Sequence, residues 1–151
     1  MKKKTAFQIY MSLKDIKMSN LKFNIVRKAV IIINSLRQIS EQMQEDVNTC
    51  ITTLRNEEIE AADIKVREHL KAQKEKNVSA LLPAEELAFY NSVIHVFNDK
   101  IRLYSEELDN QEVELKLPAF SESEFETLIS GKDLSADQIA TLYYNIVEQE
   151  E

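Results

Sequence analysis

One glycine and two prolines punctuate 151 residues, and that scarcity constrains the fold more than any other feature of the chain. Tight turns draw on Gly, Pro, Asn and Asp for backbone conformations that other residues avoid. A sandwich or barrel of many short strands is therefore excluded, and helices must dominate. Hydrophobic residues make up 44% of the chain and charged residues 30%, which supplies a core and argues against disorder. At this length one compact domain spanning residues 1–151 is expected.

The apolar periodicity divides the chain. Residues 7–13 alternate, with Phe7, Ile9, Met11 and Leu13 on one side and Gln8, Tyr10 and Ser12 on the other, the period of a half-buried strand. From Leu21 the period changes. Ile25, Ala29, Ile32, Leu36, Ile39, Met43, Val47, Cys50 and Leu54 follow steps of three and four, which predicts one long amphipathic helix. The polar segment 55–76 carries only a thin stripe of Ile59, Ile64, Val66 and Leu70 and is expected to continue as an exposed helix before turning near residues 77–82. Pro83 suits the start of the next helix, where its missing N–H is no loss. Leu87, Tyr90, Ile94, Phe97, Ile101, Tyr104 and Leu108 then form a heptad seam of coiled-coil type. Packed antiparallel, the two long helices make a hairpin with Phe97 expected against Ile32, Leu36 and Ile39.

After Asn110 the alternation returns at Val113, Leu115 and Leu117, and Pro118 stops it. Neither alternating segment is stable alone, so the two are expected to pair in a small two-stranded sheet at the base of the hairpin. Beyond it Ser121 with Glu124, and Ser135 with Gln138, are spaced as capping boxes, while Gly131 supplies a left-handed stop between them. The fold class predicted is mainly α: a long antiparallel helical hairpin, a two-stranded sheet and two short C-terminal helices.

This order of parts, with the strings Val113-Glu114-Leu115-Lys116-Leu117-Pro118 and Leu134-Ser135-Ala136-Asp137-Gln138-Ile139 and an acidic end, resembles small uncharacterised helical proteins of tailed phages and prophages. The resemblance implies a phage origin and expression inside a bacterium. It supplies no catalytic or binding residues, and segment 55–76 is longer than the interhelical connection of that family.

Charge is graded along the chain. The net charge of -7 hides +7 over residues 1–28, -3 over 29–105 and -11 over 106–151. The basic residues Lys14, Lys17, Lys22, Arg27 and Lys28 lie where the first alternating segment meets the long helix, a place from which they would cradle a phosphate-bearing small ligand. No specific nucleic acid is expected. The basic start Met1-Lys2-Lys3-Lys4 is followed by apolar residues broken by Gln8, Ser12, Lys14 and Asp15, so no export signal is read there. The most apolar run, residues 29–33, is far shorter than the roughly 20 residues that cross a bilayer. A cytoplasmic protein with no membrane partner is expected.

The residues that would carry chemistry are sparse. One cysteine, Cys50, allows no disulfide within the chain, and the two histidines, His69 and His95, cannot fill an imidazole metal site. The acids Glu41, Glu45, Glu57, Glu58, Glu60 and Asp63 are the best enzyme-like feature, because paired acids on adjacent helices hold Mg²⁺ in helical NTP pyrophosphohydrolases. Their spacing fits a solvated helix face better. No metal, cofactor or catalytic residue is assigned. The leading reading is a non-catalytic interaction protein of phage type, assembling with itself through Val30, Ile31 and Ile33 or with a host or virion protein. The alternative is a protein that sequesters a nucleotide signal to blunt host defence, followed by the Mg-dependent hydrolase.

Overall fold

A computed structural model describes residues 1–149. Six α-helices follow one another: α1 (Lys3–Leu13), α2 (Phe23–Leu54), α3 (Glu57–Lys74), α4 (Ala84–Asn110), α5 (Glu122–Ile129) and α6 (Ala136–Ile146), with a 3₁₀ turn at Val78–Ala80 between α3 and α4. They build two compact units: the first comprises Met1–Gln44 and Glu107–Glu151, the second Glu45–Glu106.

The core of the first unit is formed by Ala6, Ile9 and Leu13 of α1, by Ile25, Ala29, Ile32 and Leu36 of α2, and by residues of α5, α6 and the flanking segments, among them Phe120, Phe125, Leu128, Leu142 and Ile146. On α1 and α2 the buried positions recur every three or four residues, so one stripe of each helix is removed from water while the opposite face stays solvated. Both capping boxes are present. The Ser121 hydroxyl accepts from the Glu124 N–H and the Ser135 hydroxyl from the Gln138 N–H, each with the reciprocal bond. Gly131 has φ +68° between the two helices, the left-handed conformation that glycine adopts without a steric penalty.

The expected two-stranded sheet is not formed: among the described residues there is no strand. Residues 7–13 lie in α1, because Ala6, Ile9 and Leu13 present a helical stripe that is completely buried, whereas the strand reading would bury Met11, which is 40% exposed. Residues 113–117 have no regular secondary structure and pair with no strand among the described residues. The two chain segments nevertheless meet at one isolated antiparallel bridge between Lys2 and Glu112. There the Lys3 N–H donates to the Gln111 carbonyl and the Val113 N–H to the Met1 carbonyl, both at 2.8 Å. Leu115 and Leu117 then pack against the core of the first unit.

The second unit holds the end of α2, α3 and most of α4. Helix α2 does not run on into segment 55–76. It stops at Leu54, and the Asn56 side chain accepts from the Ile59 N–H to cap α3, whose first turn carries Glu57, Glu58 and Glu60. Acids there meet the positive end of the helix dipole. At the other end the Asn77 N–H reaches the Ala72 carbonyl at 2.9 Å and the Lys76 N–H the Gln73 carbonyl at 3.2 Å, a Schellman closure with Lys76 at φ +54°. Ile59, Ala62, His69 and Ala72 are the buried side of α3. Phe97 is 7% exposed and lines a cavity of about 260 Å³ with Leu54, Ile59, Val93 and Val96, while Ile32 and Leu36 belong to the core of the first unit. No helix is long and apolar enough to cross a membrane among the described residues.

Candidate interaction face

The basic residues singled out by the sequence are dispersed over three pieces of backbone. Lys14, the C-cap of α1, places its ammonium 5.9 Å from the centroid of the Tyr10 ring. Lys17 lies in the connection to α2, where its carbonyl accepts from Lys132 Nζ at 2.7 Å. Lys22 immediately precedes α2, and its carbonyl receives the N–H groups of Ile25 and Val26. Lys28 is committed elsewhere: its Nζ is 2.7 Å from Glu124 Oε2 and 5.8 Å from the centroid of Phe120. Lys22 and Arg27 stand exposed.

Two of the three proposed apolar contact residues are on the surface. Val30 is 43% exposed and Ile31 40%, while Ile33 packs against the core of the first unit. Helical geometry puts exposed cations and exposed apolar residues together. The row Phe23, Arg27, Val30, Asn34 and Arg37 advances by alternate steps of four and three, a single helix face, and it lies opposite the buried row Ile25, Ala29, Ile32, Leu36 and Met43. Ile31 lies beside the outer row. Phe23, at 80% exposure, is the most exposed large hydrophobic residue of the described chain. Arg27 and Arg37 make no ion pair with any described residue, and Glu41 follows Arg37 at the far end of the row.

Sequence reasoning missed Phe23, Asn34 and Arg37, although the signal was present. The apolar period defined the inward stripe, and the same period read half a turn away gives the outward one. Val30 and Ile31 were read as a partner surface and Lys22 and Arg27 as a ligand cradle, yet Arg27, Val30 and Ile31 share one side of α2.

The acids considered for Mg²⁺ have a different arrangement. Arg55, just past the end of α2, binds Glu60 through its Nε and Asp63 through an Nη, and Arg67 binds Asp63 at 2.7 Å. The hydrogen bond and charge of Arg55 hold the Glu60 carboxyl below the usual range. Glu41, Glu45, Glu57 and Glu58 point to solvent. Among the described residues, no three His, Cys, Asp or Glu side chains converge to hold a metal ion. Cys50 is half-buried and His95 exposed. His69 is buried and accepts the Leu82 N–H on Nδ1 at 2.9 Å, which makes it part of the turn before α4.

No protein-family model, curated protein or solved structure matches this chain.

Proposed function

We propose that this chain is a non-catalytic interaction protein that docks a partner protein on the outward face of α2, within the first unit. The observation that carries the reading is that Phe23, Val30 and Ile31, all at least 40% exposed, lie on the outer side of a helix whose opposite side is buried from Ile25 to Met43. Soluble proteins rarely leave large apolar side chains grouped on a rigid element, and such groups mark contact surfaces. Because α2 is already fixed by its inner stripe, docking there pays little ordering cost, which favours recognition by a preformed surface. The resemblance to small phage proteins fits a partner inside a bacterial cell, of host or virion origin.

Site-specific photocrosslinking tests this. A photoreactive phenylalanine analogue at position 30 is expected to give a discrete adduct with another protein in producing or infected bacterial cells, and the same analogue at exposed Gln73 none. Adducts of equal yield from both positions, or none from position 30, would overturn the reading.

A further inference from the structure

The outward face of α2 is more specific than an apolar patch, because its cations define what must oppose them. Arg27 and Arg37 are ten residues apart, roughly 15 Å along the helix. Val30, Ile31 and Asn34 lie between them, and Phe23 lies one turn before Arg27. Lys22 adds a third exposed cation at the start of the helix, and Glu41 is the one acid of the row. Lys28, one residue from Arg27, is by contrast neutralised by Glu124. The fold thus compensates Lys28 and leaves Arg27 and Arg37 without a carboxylate partner among the described residues.

We infer that the partner contributes an acidic amphipathic segment, with two carboxylates about 15 Å apart and apolar side chains between them. This inference rests on the docking reading above. A guanidinium offers a planar fork of donors that matches a carboxylate with two parallel hydrogen bonds, which is why arginine is favoured where ion pairs are partly desolvated. The apolar residues between the arginines supply the desolvation and require apolar atoms opposite. That requirement selects among anionic partners. A nucleic-acid backbone offers phosphates but leaves Val30 and Ile31 without apolar contact, since its affinity comes from charge neutralisation. A lipid surface wants a broad apolar face sunk into the acyl boundary, whereas this face alternates with Asn34, Arg37, Gln38 and Glu41, all exposed. An acidic helix satisfies both parts of the row.

Binding of synthetic probes to the full chain, read by fluorescence anisotropy, tests the inference. One helical peptide carries two Glu on one face about 15 Å apart with Leu and Val between; a second has Gln at both Glu positions. A short duplex DNA and vesicles of mixed phosphatidylglycerol and phosphatidylcholine serve as the other anions. The Glu peptide is expected to bind at least about tenfold more tightly than the Gln peptide, DNA or vesicles, and to weaken as salt rises from about 50 to about 300 mM. Arg27→Glu with Arg37→Glu, and separately Val30→Asp, are each expected to weaken it at least about tenfold, with helicity by circular dichroism unchanged. Equal binding of the Glu and Gln peptides would overturn the acidic chemistry while leaving an adduct at position 30 intact. Binding of neither peptide, a preference for DNA or vesicles, or self-association that removes peptide binding would overturn the inference as well. Loss of the position-30 adduct is the separate failure that would overturn the docking reading itself.

Discussion

Lys28 Nζ donates to Glu124 Oε2 at 2.7 Å across 96 residues of sequence, joining α2 to the first turn of α5. The same carboxylate accepts from Asn24 Nδ2 at 2.6 Å and from the Ser121 N–H at 3.0 Å. Glu124 therefore closes a capping box and pins two helices of the first unit together. The pair explains why a lysine expected to meet an anionic ligand is withdrawn from the surface: the chain supplies its own anion there.

A pH dependence follows. The hydrogen bond from Lys28, then that from the Ser121 backbone, hold the Glu124 carboxyl below the ordinary carboxylate range. A group whose folded value is depressed contributes stability that is complete above its unfolded value, about 4.3, and is lost as pH falls through the folded value. Glu124→Gln is expected to cost about 1–2 kcal/mol at neutral pH. The gap from the parent protein should close as pH drops below about 4. Urea titrations at stepped pH measure it; a gap that stays constant down to about pH 3 would show that the charge of Glu124 contributes nothing.

The helical identity of residues 7–13 gives a test in which two side chains disagree. On a strand Ile9 and Met11 would share one face and be equally sensitive. In α1 Ile9 is completely buried and Met11 is 40% exposed. Ile9→Ala is expected to cost about 2–5 kcal/mol and Met11→Ala no more than about 0.5–1 kcal/mol, both by chemical denaturation. Comparable losses would support the strand.

These residues also show how much was legible in the sequence. Long-range periodicity was reliable: the inward stripe of α2 from Ile25 to Met43 and the capping boxes at Ser121 and Ser135 are where residue spacing puts them. A window of seven residues was not, because Phe7, Ile9, Met11 and Leu13 satisfy period two while Ala6, Ile9 and Leu13 satisfy the helical period, and only packing decides between them. The division between α2 and α3 escaped for another reason. Asn56 sits among strong helix formers with no Gly or Pro nearby, and its capping partner Ile59 leaves no Glu or Gln at the third position to complete a box. The outward face of α2 was half legible: Arg27, Val30 and Ile31 stand out in the sequence in separate groups, whereas Phe23, Asn34 and Arg37 do not.

The Asn56 cap is testable on its own. Its side chain accepts from the Ile59 N–H at 3.0 Å, satisfying one of the donors that a helix start leaves free. Asn56→Ala is expected to lower stability by about 1 kcal/mol and Asn56→Asp to restore most of it, because a carboxylate accepts the same bond. Equal losses from both substitutions would mean that the break after Leu54 is held by packing and not by the cap.

The turn before α4 hangs on one imidazole. His69 is 5% exposed, and its Nδ1 accepts the Leu82 N–H, which requires the tautomer with the proton on Nε2. That Nε2 is buried with no hydrogen-bond partner among the described residues, so the side chain satisfies the loop at the expense of its own second nitrogen. An amide at this position keeps an acceptor near Nδ1, whereas leucine keeps bulk and removes the acceptor. His69→Asn is therefore expected to retain slow amide exchange at Leu82. His69→Leu should speed that exchange by about fivefold, the consequence of losing on the order of 1 kcal/mol of protection at one N–H. Exchange at buried positions of the first unit, such as Ile32, should be the same in both variants. Slow exchange at Leu82 in His69→Leu would show that apolar contacts alone hold the turn, and that the buried histidine is there for its volume.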